Sequence, residues 1–173
     1  MKSIEHAAVI NYNFAAGAME QASPRVRMAE ERLPFTVRVV RSEGALSKAV
    51  TIRQAAYARH VPAFAAQLSS PEPNDHDEGS VVLLAESKLD GSPLGTMRIQ
   101  TNRFRDLTIA QSVELPAWLK DKSMAEATRL GVELGQTGRV VKTVLFKALY
   151  LYCLQAGIEW LVIGARSPLD RQI

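Results

Sequence analysis

The sequence predicts a mixed α/β fold in which helices flank a central sheet. Short apolar segments of strand character are separated by two longer helical segments. The second helical segment lies between two apolar strands, and such a connection normally places the two strands parallel with a right-handed crossover. The turn Asp-Gly-Ser-Pro at residues 90–93 predicts an antiparallel hairpin earlier in the chain. The sheet is therefore predicted to contain both parallel and antiparallel pairs.

Residues 35–40 alternate as the first strand, and residues 42–59 follow as a helix with one apolar side. Prolines and acidic residues predict a long loop at 61–79, and loops of that length are often functional. The later predicted elements are strands at 80–86, 94–101, 124–132 and 159–165, a tight loop at 135–138, and a helix at 139–155 that Gly157 caps.

The chain of 173 residues is long enough for one domain with a real core. Residues 1–34 are predicted to be a leader that is poorly ordered or loosely docked, and residues 35–173 to be the folded domain. The chain stops where a further helix would begin, so we interpret the domain as shortened at its C-terminus.

Composition argues against several classes of function. One cysteine, Cys153, allows no internal disulfide and suits a reducing compartment, which predicts a cytoplasmic protein. The three histidines lack ligand spacing, so no metal site is predicted. The net charge of +3, without a basic stripe interleaved with aromatics, argues against nucleic acid. Lys142 and Lys147 interrupt the most apolar segment, which indicates a buried helix and no integral membrane segment.

Glu126 and Arg129 lie within an apolar strand, where charged side chains are seldom buried unless they are paired. They form either a structural ion pair or part of a site. A partly desolvated carboxylate suits a general base, so we favour a site. Residues three apart on a regular strand point to opposite faces, and both can line one cleft only if a bulge intervenes. The sequence therefore predicts an irregularity within residues 127–130.

Five motifs in order resemble those of the N-acyl amino acid synthases and acyl-homoserine-lactone synthases, a branch of the GNAT-type acyltransferases. The resemblance covers roughly residues 35–171. Its motifs are Arg53-x-x-x-Tyr57, Asp75-x-Asp77, Gly95-Thr96-Met97-Arg98, Glu126-x-x-Arg129 and Gly164-Ala165-Arg166-Ser167-Pro168-Leu169.

The resemblance implies a GNAT-like fold and transfer of a fatty acyl chain from acyl carrier protein to the amine of a small, amino-acid-like acceptor. Glu126 and Arg129 would be catalytic, and Arg53, Tyr57, Asp77 and Arg98 would bind the acceptor. In the lactone synthases the acidic pair is spaced three apart, whereas Asp75 and Asp77 are two apart, so the role falls to Asp77. The aromatic nearest to the tryptophan that the family has after its first helix is Phe64.

No permanently bound cofactor is expected, because the acyl donor is itself a phosphopantetheine thioester. The residues expected to contact the donor are Leu130, Val132, Gly135, Gly138, Arg139 and Lys142. The turn at 135–138 opens a helix whose first N–H groups can face an anion. Two alternatives remain open at this point, namely an acetyl-coenzyme-A-dependent acetyltransferase and a non-catalytic relative that only binds acyl groups.

Overall fold

A computed structural model describes residues 6–11 and 33–165, and these form a mixed six-stranded sheet with helices on its two faces. The order of the strands across the sheet is β1-β6-β5-β4-β3-β2, with β5 and β6 parallel and every other neighbouring pair antiparallel. The strands are β1 (His6–Asn11), β2 (Phe35–Val39), β3 (Ser80–Ser87), β4 (Pro93–Thr101), β5 (Met124–Val132) and β6 (Trp160–Ala165). The helices are α1 (Glu43–Ala58), the short α2 (Pro62–Ala65) and α3 (Gly135–Ala156).

The predicted elements from residue 35 onward are present, with small differences at their ends. Ser42 is the N-cap of α1, and its hydroxyl accepts from the Ala45 N–H. Helix α3 begins at Gly135, so the predicted loop at 135–138 is instead the first helical turn; Gly135 adopts φ 80°, which allows the chain to enter the helix abruptly. Gly157 ends α3 in the left-handed conformation, as predicted.

The long predicted loop at 61–79 contains α2 and two short 3-10 turns. Within the predicted leader, residues His6–Asn11 form β1, which pairs with the edge of β6. The rest of the leader and residues 166–173 lie outside the described residues. Over the described part, none of the helices combines the length and the apolar character that a membrane span requires.

Alternation along β4 and β5 gives the sheet two different faces. Side chains of Met97, Ile99, Ala125 and Ala127 join the main apolar core, which α3 covers. The residues between them point to the face covered by α1, and they are polar: Thr96, Arg98, Gln100, Glu126 and Thr128. At β4 and β5 the sheet thus has an apolar face under α3 and a polar face under α1, while at β3 α1 packs on the apolar side chains of Val82 and Leu84.

A bulge interrupts β5 where the sequence predicts one. Three residues of β4, from Thr96 to Arg98, oppose four of β5, from Thr128 to Gly131. Arg129 is the only non-glycine residue with positive φ in the described part, at φ 55°. The extra residue reverses the alternation, so that Leu130 packs on the apolar core while Arg129 stays on the polar face. The predicted irregularity within 127–130 is confirmed.

Candidate active site

The centre of the polar face is an ionic network whose deepest member is Arg53 of α1. The sequence alone suggests a solvated position for a helix arginine, yet this side chain is completely buried. Its two terminal nitrogens donate to Asp75, Nη1 to Oδ2 at 2.8 Å and Nη2 to Oδ1 at 2.9 Å. The Asp75 side chain is itself inaccessible to solvent. This bidentate pairing ties α1 to the segment of residues 72–77, which we call the acidic turn.

Arg98 of β4 enters the same network from the sheet. Its Nη1 donates to Asp75 Oδ1 and to Glu72 Oε2, both at 3.1 Å, and its Nε donates to the Thr128 hydroxyl at 3.2 Å. Among the described residues, Arg98 thus contacts the acidic turn, and its expected contact with an acceptor stays a prediction. Arg98 is buried, so the acidic turn is held against the sheet by charge-assisted hydrogen bonds.

Arg129 approaches from the bulge and binds Glu72 in bidentate fashion, with Nε to Oε2 and Nη2 to Oε1 both at 2.7 Å. Its guanidinium lies over the Phe64 ring, 5.1 Å from the centroid. Tyr57 packs beside Phe64 with ring centroids 5.7 Å apart. Arg129 therefore does not form the ion pair with Glu126 that was the structural alternative. Both residues still face the polar side, because the bulge turns Arg129 toward it.

The charges of the network are three guanidinium groups and two carboxylates, which leaves one positive charge unmatched. Burial opposes ionisation of Glu72, but the hydrogen bond and charge of Arg129 outweigh it, so the pKa of Glu72 is lowered. The pKa of Asp75 is lowered in the same way, burial being outweighed by Arg53. Both carboxylates are thus ionised at neutral pH.

Glu126 stands apart from this network and has the opposite electrostatic character. It is buried, and its Oε2 accepts a hydrogen bond from the Ile109 N–H at 3.0 Å. Burial raises the pKa of Glu126, and this outweighs the opposing effects of the Ile109 hydrogen bond and of Arg98. A carboxyl group with a raised pKa is suited to accept a proton and later return it.

Asp77 lies at the edge of the network. It forms an ion pair with Arg105, whose side chain is 47% exposed, and Arg98 is anchored by Asp75 and Glu72 instead. Asp77 does not anchor Arg98, because the 3-10 turn at Pro73–Asp75 directs Asp75, and not Asp77, toward the sheet. Its predicted contact with an acceptor stays a prediction.

Glu72 was not singled out from the sequence, and Asp75 was given no role. The detectable signal was the spacing, because Glu72 and Asp75 are three apart, as in the acidic pair of the lactone synthases. The two residues also cap each other: Glu72 N–H donates to Asp75 Oδ2 at 2.8 Å in a capping box. This local bond presents both carboxylates on one side of the turn.

The residues predicted to contact an acyl donor lie around the end of β5 and the start of α3. Leu130 and Val132 are half-buried against the apolar core, and Arg139 is exposed. Gly138 is needed for the entry of the helix, because a Cβ there would lie 1.8 Å from the Glu133 carbonyl oxygen. Lys142, half-buried, completes the predicted set. These residues do not touch the ionic network through any recorded hydrogen bond or ion pair among the described residues.

Pairing between β5 and β6 ends at Ala127 and Ile163, just before the bulge. Beyond this point β5 continues to Val132 and pairs with β4 alone among the described strands. The two parallel strands thus separate next to the bulge. Among the described residues, His, Cys, Asp and Glu side chains form no group of three or more able to hold a metal ion.

The sequence matches no protein-family model and no curated protein. Several solved structures nevertheless share its fold. FeeM, an N-acyl amino acid synthase from uncultured soil microbes, has a TM-score of 0.61 at 19% identity, covering 80% of this chain and 74% of its own. A predicted acetyltransferase with acetyl-CoA from Clostridium acetobutylicum has a TM-score of 0.53 at 14% identity, covering 80% of this chain and 87% of its own.

An aminoglycoside acetyltransferase from an uncultured soil metagenomic sample has a TM-score of 0.55 at 13% identity, covering 80% of this chain and 84% of its own. At these identities the similarity concerns the fold. The predicted fold class is confirmed: the chain has the GNAT-type fold, a mixed sheet flanked by helices, that these N-acyltransferase structures share.

Proposed function

We propose that this protein is an N-acyltransferase that moves a fatty acyl group from acyl carrier protein to the amine of an amino acid or a similar small acceptor. The observation that supports it best is the β5 bulge. It keeps Arg129 on the face that also holds the desolvated Glu126, beside a network with one more arginine than carboxylates. The proposal extends to this chain the activity of FeeM, an N-acyl amino acid synthase.

The excess positive charge suits an acceptor that contains a carboxylate. Arg129 and Glu72 are the members that reach solvent, with side chains 23% and 21% exposed. An incoming carboxylate would compete with Glu72 for the planar, bidentate face of the Arg129 guanidinium. Arg53 and Arg98, both buried and held by Asp75, would keep the charge in place. Tyr57 and Phe64 would form the apolar side of this acceptor site.

Glu126 would act as the general base, directly or through one water. The acceptor ammonium gives one proton to the Glu126 carboxylate, and the amine nitrogen then forms a bond to the thioester carbon. The carbon–sulfur bond breaks, the nitrogen loses its second proton as the amide forms, and the thiolate that leaves takes up this proton. Glu126 then returns the first proton to solvent. Amide and free thiol are the products, with no covalent enzyme intermediate.

The bulge would stabilise the oxyanion that develops on the thioester carbonyl. An extra residue frees backbone N–H groups from the regular ladder, and such donors lower the barrier when they point at developing negative charge. The acyl chain would run where β5 and β6 separate, past Leu130 and Val132.

A second candidate is an acetyltransferase that uses acetyl-coenzyme A. It is favoured by the start of α3, where Leu134 offers no capping side chain and the space beside Gly135 is open to a close approach. Free N–H groups in a first helical turn attract phosphate. Arg139 and Lys142 would assist with either donor, by binding a phosphate or by contacting an acidic carrier protein.

Purified protein should be offered matched acyl chains on acyl carrier protein and on coenzyme A, together with a mixture of amino acids. The products should be identified as amides by mass spectrometry, and release of free carrier thiol should be followed in parallel. The main proposal expects long-chain N-acyl amino acids from the carrier donor. Acetylated amines formed from acetyl-coenzyme A alone would establish the second candidate, and no amide from either donor would contradict both.

A single substitution tests the role of Glu126 as the general base. Glu126→Gln keeps the size of the side chain and the acceptor oxygen for Ile109 but cannot take a proton. We expect kcat/KM to fall about 10²- to 10⁴-fold, the usual contribution of a positioned general base. Glu133→Gln is the matched control, because Glu133 is exposed and directly follows the end of β5. Equal activity of the two variants would remove Glu126 from the mechanism.

A further inference from the structure

A second polar connection reaches Glu126 from the loop that follows β4. This segment, residues 105–109, is fixed at its end by two apolar side chains, Leu107 and Ile109. Both are buried in a small cluster with Leu119 and Val162. Thr108, between the two buried side chains, makes polar contacts instead of apolar ones. The backbone that donates to Glu126 is therefore held between an apolar anchor and a polar one.

The polar anchor is a chain of hydrogen bonds to the acidic turn. The Thr108 hydroxyl donates to Gln100 Oε1 at 2.8 Å and accepts from Asn74 Nδ2 at 3.3 Å. Asn74 Oδ1 accepts in turn from Arg105 Nη2 at 2.8 Å, and Arg105 forms the ion pair with Asp77. Asn74 lies between Glu72 and Asp75, so one short turn contacts both the arginines and the segment beside Glu126.

We infer that Asn74 and Arg105 are positioning residues that hold the 105–109 segment so that the Ile109 N–H stays on the Glu126 carboxylate. We call this connection the Asn74–Arg105 latch. The inference rests on the proposed role of Glu126 as the base. It assigns to the acidic turn a second task, because the turn that orders the arginines also sets the hydrogen bonding of the proton acceptor.

The consequence is a defined pH dependence. A hydrogen bond to the ionised carboxylate favours the charged form, so its loss raises the pKa of Glu126 further. The other charged groups near Glu126 are Arg98 from β4 and Arg129 from the bulge, both of which favour its ionised form, and they are paired with Glu72. From β6 it faces Val162, which is apolar. Because those groups are unchanged, loosening the latch changes the pKa of Glu126 through the Ile109 N–H donor.

The test compares Arg105→Met with Arg103→Met. Both residues are exposed and belong to the same loop, and both variants remove one positive charge, but only Arg105 contacts Asn74 and Asp77. Asn74→Ala removes the middle of the latch as a second variant. The ionisation of Glu126 is followed by NMR of ¹³C-carboxyl-labelled glutamate, assigned with Glu126→Gln, and kcat/KM is measured across the pH range.

We expect Arg105→Met and Asn74→Ala to raise the pKa of Glu126 and to move the acidic limb of kcat/KM to higher pH. On that limb the loss should be about tenfold, with less than about a twofold change on the alkaline plateau. Arg103→Met should match the unmodified protein. An unchanged Glu126 pKa in both latch variants, with folding confirmed by amide spectra, overturns the inference. A raised pKa with an unmoved activity profile would uphold the latch and contradict the base assignment instead.

Discussion

At β4 and β5 the sheet has two faces that are equally closed to solvent but chemically opposite. Under α3, Met97 and Ile99 are completely buried among apolar side chains. Under α1, Arg98 is 1% exposed and Glu126 is 4% exposed, on the same two strands. Only the pleat separates the two sets of residues.

The comparison shows that burial alone does not explain the polar face. Apolar residues of similar volume would stabilise the fold at least as well, since the desolvation of buried ions offsets much of their attraction. The polar face is therefore better explained by chemistry than by stability. Its carboxylates also differ among themselves, because Glu72 and Asp75 have lowered pKa values while the pKa of Glu126 is raised.

The largest expected effect on stability comes from breaking the polar face at its centre. Asp75→Ala leaves the buried Arg53 and Arg98 without their shared carboxylate, and we expect the free energy of unfolding to fall by about 3–5 kcal/mol. Asp77→Ala is the control, because it removes an exposed ion pair and should cost about 1 kcal/mol or less. Chemical denaturation measures both. Similar losses for the two variants would mean that the buried pair is no more important than the exposed one.

Removing the bulge tests whether the two faces need it. Deletion of Arg129 leaves Thr128 on the polar face and Leu130 on the apolar face of a regular strand, so we expect the protein to fold. Activity should fall about 10²- to 10³-fold, as when one oxyanion donor is lost. Circular dichroism checks that the deletion variant folds, and the rate of amide formation measures its activity. Arg129→Ala is the control, because it removes the guanidinium and keeps the extra residue of the bulge. Full activity of the Arg129 deletion would show that the bulge has no catalytic part.

Substitutions at two glycines test how closely the apolar face packs against α3. A Cβ at Gly95 would lie 2.6 Å from Val141 Cγ1 under α3, so Gly95→Ala should destabilise by about 1–3 kcal/mol. At Gly44, within α1, a Cβ would meet nothing within 4 Å, and Gly44→Ala should stabilise by about 0.5–1 kcal/mol. Thermal unfolding measures the two shifts. Shifts of the same sign would contradict close packing at Gly95.

The smallest expected effect is on the pH dependence of stability. Because the folded pKa of Glu126 is raised, its contribution to stability is fully present below the unfolded pKa and is lost as pH rises through the folded value. Glu126→Gln cannot ionise. Relative to the unmodified protein it should therefore gain about 1 kcal/mol or less between about pH 4 and about pH 7.

Thermal unfolding at the two pH values gives this difference. Glu72→Gln should behave in the opposite sense, because the lowered pKa of Glu72 gives stability that is present above the unfolded pKa and lost as pH falls. A pH-independent difference for Glu126→Gln would show that Glu126 is not desolvated in the folded protein.

The local elements were accessible from the sequence because they depend on short-range patterns. Alternation predicted β5 at 124–132, which is where it lies, and Gly157 predicted the end of α3. The bulge was accessible too, since opposite charges three apart on an apolar strand require one if they are to share a face. Glu126 and Arg129 were named from their setting in an apolar strand, and Arg53 and Arg98 from the family resemblance. All four lie on the polar face.

The partners of those residues were decided only by the tertiary structure. Arg129 binds Glu72, which is 57 positions away, and Arg53 binds Asp75, 22 positions away. Such choices depend on how α1, the bulge and the acidic turn approach one another, and no local periodicity encodes that distance. The sequence alone therefore determined which residues are charged and on which elements they lie. Packing determined that Asp75, and not Asp77, is buried with the arginines, because only a carboxylate facing the sheet can offset their desolvation.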